Sequence, residues 1–196
     1  MSVTGEDATT DLVIRELQGA IHAASRDYFA WSRGHILYDK GVESLMQAYS
    51  AKRLFNFFSQ RHEITVHLER PCIELVPGLS GRIDMTLEFG DGALYAIEFK
   101  RYSNPAQIGP DLARLREVAA AASDRVGLFA APCYMNERER DYDWPLRQKR
   151  DSEENSPWQI WHLSESRRLP EGGHSQGWSH ERALVVQICQ AVMQNS

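Results

Sequence analysis

Apolar residues recur at helical spacing from Asp11 to Ser32, where Leu12, Ile14, Leu17, Ile21 and Tyr28 fall near one face. After a break, the same period resumes at Val42 with Leu45, Met46, Tyr49, Leu54, Phe57 and Phe58, predicting a second helix up to about Gln60. Residues 63–75 are β-rich and interrupted by Pro71. Between Arg82 and Lys100 the period changes to two, around a turn at Gly90-Asp91-Gly92. Helical spacing returns over 104–123, with entry at Asn104-Pro105 or Gly109-Pro110. A short apolar strand is predicted at 125–133. Charge of both signs crowds 135–156, predicting a solvated loop. A late strand is expected at 157–164, then a closing helix capped by Ser179 and striped by Ala183, Val186 and Cys189. This order predicts one mixed α/β domain over 1–196. Its parts are a helical extension (1–40), a core (41–132), a charged loop (133–156) and a C-terminal strand and helix (157–196).

The hairpin carries the chemistry. Ile83, Met85, Leu87 and Phe89 share one face of the first arm, and Ala93, Tyr95, Ile97 and Phe99 share one face of the second. Folding the turn so that Phe89 meets Ala93 pairs Leu87 with Tyr95, Met85 with Ile97 and Ile83 with Phe99. A one-residue slip would oppose apolar and polar residues. The same register sets Asp84 opposite Glu98 on the other face, with Arg82 and Lys100 beside them. Two facing carboxylates repel, and away from water one of them takes up a proton. A divalent cation removes that conflict, and Mg²⁺ accepts one or two carboxylates with water and phosphate completing its shell. Lys100 is then placed to contact a phosphate oxygen or an attacking water. The competing reading is an ordinary polar strand face.

Composition narrows the classes. The 196-residue chain is 42% hydrophobic and 25% charged, as expected of a globular domain with a real core. It contains no apolar run of about 18 residues, so no membrane span is expected. A net charge of -5 argues against binding nucleic acid by bulk charge, though not against a local basic groove. Cys72, Cys133 and Cys189 are scattered and odd in number, which suggests neither a disulfide framework nor a metal spacing. With an acidic N-terminus lacking a basic-then-apolar pattern, this predicts a reducing, cytoplasmic setting. His174 and His180 lack zinc partners at the usual spacing, and no phosphate loop or dinucleotide fingerprint occurs.

Asp84, thirteen residues later Glu98-Phe99-Lys100, and their setting "GRIDMTLEF…LYAIEFKRY" resemble the PD-(D/E)XK nuclease superfamily. The resemblance covers roughly residues 41–132 and implies a restriction endonuclease-like αβββαβ core, a mixed central sheet flanked by helices. It implies a nuclease that hydrolyses phosphodiester bonds, DNA rather than RNA, with Mg²⁺ or Mn²⁺. Asp84 and Glu98 would be metal ligands, and Lys100 would position or activate water. Glu43, at the start of the preceding helix, corresponds to a third acid found in many members, and Gln107 to an accessory glutamine found in some. The proline that often precedes the first acid is replaced here by Ile83. Arg82, Arg101, Tyr102, Lys52 and Arg53 are candidates for a local basic patch that tracks a nucleic-acid backbone. The alternatives are a catalytically inactive relative that binds nucleic acid or protein, a second copy included, and an unrelated α/β interaction protein. In the last case Asp84 and Glu98 would lie beyond joint reach of one ion.

Overall fold

The computed structural model describes residues 5–32, 41–101, 105–136, 144–156, 158–169 and 179–189. Two helices come first, α1 (Gly5–Trp31) and α2 (Gly41–Phe58). Strand β1 (Ile64–Pro71) and a short 3-10 turn (Cys72–Glu74) lead into the hairpin of β2 (Arg82–Phe89) and β3 (Leu94–Phe99). Helix α3 (Pro105–Ala120) crosses to β4 (Arg125–Met135). Then come α4 (Trp144–Asn155), β5 (Gln159–Leu163), the two-residue β6 (Arg167–Arg168) and β7 (His180–Ile188). No described helix is long and apolar enough to cross a membrane.

The strands form one seven-stranded sheet in the order β1-β2-β3-β4-β7-β5, with β6 also paired to β7. Only β3 and β4 run parallel, so the sheet is mixed. A parallel pair needs a long crossover, and α3 supplies it. One face packs on α1 and α2, through Leu17, Ile21, Met46 and Leu54 against Leu87, Ile97, Leu128 and Val185. The other face packs on α3, through Leu112, Leu115 and Val118 against Phe129, Val186 and Ile188. The central strands are therefore covered on both sides. Gly127 brings α3 close to β4: a Cβ there would lie 2.9 Å from the Leu115 carbonyl oxygen.

The hairpin closes as its alternation predicts. Phe89 N–H donates to the Ala93 carbonyl at 2.9 Å, and the ladder pairs Leu87 with Tyr95 and Met85 with Ile97. Gly92 has a φ of 101°, which a side chain would strain. The expected Ile83–Phe99 pair does not form. The ladder stops at Met85, and Ile83 joins the cluster under α3 while Met85 and Phe99 stay on the α1–α2 side. The change of face falls at Asp84, at whose level Glu69 on β1 has a left-handed φ of 54°. A local irregularity of this kind re-aims a side chain.

Two other expectations are corrected. The closing helix expected from Ser179 is a strand over 180–188, between β4 and β5. Buried on both faces, its centre over 183–186 reads as a continuous apolar run, and Val185, Val186 and Ile188 suit a strand. The charged loop over 133–156 is in part β4, which runs to Met135, and in part α4 from Trp144. Arg, Gln, Lys and Glu are good helix formers, and Lys149 Nζ ties α4 to the Trp161 carbonyl at 2.6 Å.

Candidate functional site

The end of the β2–β3 ladder frees Asp84 from an ordinary strand position. Its Oδ2 accepts the Phe99 N–H at 2.7 Å, which pins the carboxylate beside β3. Glu98, one residue earlier on β3, is only 4% exposed. Each carboxyl group is a cause of the other's shift in proton affinity. Burial, then repulsion from Asp84, pushes Glu98 up to about 8 despite the Arg114 guanidinium beside it. Burial also raises Asp84, against the lowering pull of the Phe99 N–H. Both shifts run toward the protonated form, so the pair favours holding a proton at a higher pH than two free carboxylates would, with the Arg114 guanidinium beside Glu98.

Helix α3 roofs this pair. Arg114 Nη1 donates to Glu98 Oε1 at 2.5 Å, and Lys100 Nζ donates to Asp111 Oδ2 at 2.7 Å. Arg114 and Asp111 lie 3.6 Å apart on successive turns. From the other side, Glu43 in the first turn of α2 accepts the Arg101 N–H at 3.1 Å. Asp111 above all, with Glu43 and Glu98, raises the Lys100 ammonium above its ordinary value. The fold thus gathers Glu43, Asp84, Glu98 and Lys100 at one end of β3.

The expected basic patch divides. Arg82 stands at the rim, with its Nη1 on the Glu69 carbonyl at 3.1 Å and its own carbonyl accepting from Arg114. Arg101 is half-buried and acts electrostatically on Tyr134. Tyr102 lies outside the described residues, and so does the side chain of Gln107, which is in the first turn of α3. Lys52 and Arg53 sit about 14 Å along α2 from Glu43, by helical rise. Arg53 pairs with Glu16 at 2.7 Å, and with Lys52 it lines a groove between α1 and α2. They belong to a different surface from the carboxylate pair.

Asp111 and Arg114 are the residues that sequence reading missed. The signal was present: Asp111 falls three residues after Ile108 and four before Leu115, on the helix's buried stripe, and is 7% exposed. A carboxylate in an apolar register needs a partner. Gly109-Pro110, taken as a candidate helix entry, hid it; the helix runs from Pro105 through Pro110.

The donor set fits a hard cation only in a limited way. Among the described residues no group of three or more His, Cys, Asp or Glu side chains could hold a metal ion. Asp84 and Glu98 each have one oxygen held by a protein donor, which leaves the other for a cation. Two carboxylates, with water and substrate phosphate, are an ordinary Mg²⁺ environment. No family model, curated protein or solved structure matches this chain.

Proposed function

We propose that the protein is a metal-dependent phosphodiesterase acting on nucleic acid, built on a restriction endonuclease-like core over residues 41–132. The run α2-β1-β2-β3-α3-β4 supports the αβββαβ reading. The observation that carries the activity is the pairing of half-buried Asp84 with buried Glu98, with Lys100 at its side. Mg²⁺ or Mn²⁺, held by these two carboxylates, would supply charge stabilisation at phosphorus and a more acidic water. Lys100 keeps its proton at neutral pH, so its work is to donate to a phosphate oxygen or orient a water, not to act as a general base. Asp111 fixes where that ammonium points, and Arg114 fixes Glu98. Glu43 anchors the chain leaving β3 through the Arg101 N–H.

A second reading is favoured by the same α3 contacts. Arg114 and Asp111 partly neutralise Glu98 and Lys100, as they would in an inactive nuclease-like fold that binds nucleic acid or protein. Cleavage of single- and double-stranded DNA and RNA with Mg²⁺ or Mn²⁺ separates the two. Wild type should cut, with DNA the first substrate to test, and Asp84→Ala and Lys100→Ala should each lose about 100-fold or more. Equal cleavage by all three proteins would refute the site. Metal-independent binding without cleavage would select the inactive fold.

A further inference from the structure

A second cavity, of about 400 Å³, opens on the α1–α2 side of the sheet, and four arginines line it: Arg26, Arg53, Arg167 and Arg168. That volume is within the usual range for a small-molecule site, about 300–1,000 Å³. In a chain of net charge -5, this is a local reversal of sign. The wall is fixed by a buried polar chain. His22 Nδ1 lies 2.8 Å from Glu181 Oε1, and His22 Nε2 lies 2.8 Å from Ser164 Oγ. Ser25 Oγ bonds the other Glu181 oxygen and sits 2.9 Å from the Tyr134 hydroxyl. Glu181 lines the cavity, but both its oxygens are engaged in this chain.

Three of the four guanidinium groups, those of Arg26, Arg53 and Arg167, keep donors to spare. Arg53 uses Nε on Glu16 at 2.7 Å, and Arg26 Nε stands 3.6 Å from Asp27. Arg167 has no side-chain hydrogen-bond or ion-pair partner among the described residues. A further observation concerns Gly19, in the middle of α1, where glycine is a poor helix former. A Cβ there would lie 2.8 Å from Arg53 Cζ and 2.9 Å from its Nη2. The glycine opens the space in which the Arg53 guanidinium lies against α1 at the cavity wall.

We propose that this cavity binds a phosphate group. A phosphate monoester carries close to two negative charges and three terminal oxygens, so it answers several arginine forks at once. A carboxylate offers one charge and two oxygens. The ligand is either a free phosphate compound or the terminal phosphate of a nucleic-acid strand, and the same chemistry serves both. The proposal uses none of the residues of the Asp84–Glu98 site and stands whether or not that site cuts.

The full chain, in EDTA, is titrated with inorganic phosphate and, at equal ionic strength, with chloride, by calorimetry and thermal melting. Phosphate should bind and raise the melting temperature where chloride does not. Arg167→Gln and Arg53→Gln should weaken binding by about tenfold or more each, as lost charge-assisted contacts do. Gly19→Ala displaces the Arg53 guanidinium without removing its charge: it should bind phosphate more weakly, while its melting temperature without phosphate balances the helix preference of alanine against a loosened Arg53–Glu16 pair. Asp84→Asn should bind like wild type. Fluorescence anisotropy with 5′-phosphorylated and 5′-hydroxyl oligonucleotides names the source: tighter binding of the phosphorylated strand assigns a strand end, and equal binding assigns a free phosphate compound. Phosphate acting no differently from chloride, or binding unchanged in both arginine variants, would overturn the proposal.

Discussion

Replacing Glu98 by glutamine tests whether the carboxyl pair shares a proton. Folding moves Glu98 from its ordinary 4.5 to about 8, through burial and Asp84. Each tenfold in proton affinity is about 1.4 kcal/mol, so ionising Glu98 inside the metal-free fold costs on the order of 5 kcal/mol. The sign follows from a folded-state value that is raised. The stabilisation from protonated Glu98 is complete below pH 4.5 and is lost as pH climbs through about 8. The neutral amide of Glu98→Gln does not titrate. Wild type should therefore lose about 2–5 kcal/mol relative to the variant between pH 5 and 8.5, allowing for water entering the site. Urea unfolding in EDTA at closely spaced pH values measures this. Saturating Mg²⁺ should then restore wild type at pH 8, by about 2.7 kcal/mol at one hundred times its dissociation constant, and should do little for the variant. Parallel pH curves for the two proteins would refute the shared proton. A restored difference with no response to Mg²⁺ would leave the acid pair and remove the metal.

Three further outcomes are expected. Gly127→Ala should destabilise by about 1–3 kcal/mol in chemical unfolding, because its methyl group meets the Leu115 carbonyl at 2.9 Å and Ile188 Cβ at 3.2 Å. Asp111→Asn removes the largest cause of the raised Lys100 value, so the lysine should titrate at lower pH by NMR, and any basic limb of a cleavage profile should move down with it. Glu181→Gln should cost about 1–3 kcal/mol in thermal or urea unfolding, because it disrupts the partners of the buried His22 and Ser25 side chains.

The hairpin was legible because each of its arms has one apolar face, and a slip of one residue would have exposed it. Its register survives as far as Met85–Ile97. What the alternation could not tell was that Ile83 turns to the opposite core, because the irregularity opposite Glu69 is a backbone event with no residue pattern of its own. Strand β7 was misread for a different reason. A strand covered on both faces loses the period of two, and the spacing of Ala183 and Val186 then fits a helix by coincidence. Helix α4 was misread because charge on half of its positions hides its periodicity. At the site, Asp84, Glu98 and Lys100 come from one hairpin and were within reach of local reasoning. Asp111 and Arg114 reach them only through the crossover helix, so their role depends on packing that no local pattern encodes.

Charge balance decides how that packing should be understood. Four carboxylates, Glu43, Asp84, Glu98 and Asp111, stand around the end of β3 with two cations, Lys100 and Arg114. Exposed Glu69 and Arg82 at the rim add one charge of each sign. Fully ionised, the cluster carries two unmatched negative charges; with one shared proton it carries one. The two buried carboxylates, Glu98 and Asp111, each meet a cation, and the unmatched charge falls on the half-buried Asp84 and Glu43. A single divalent cation in place of the shared proton brings the cluster to neutrality while leaving the Arg114 and Asp111 contacts intact. The α3 residues are therefore compatible with the proposed active site: they hold Glu98 and Lys100 in place, and they leave Asp84 and Glu43 without a matching cation among these side chains.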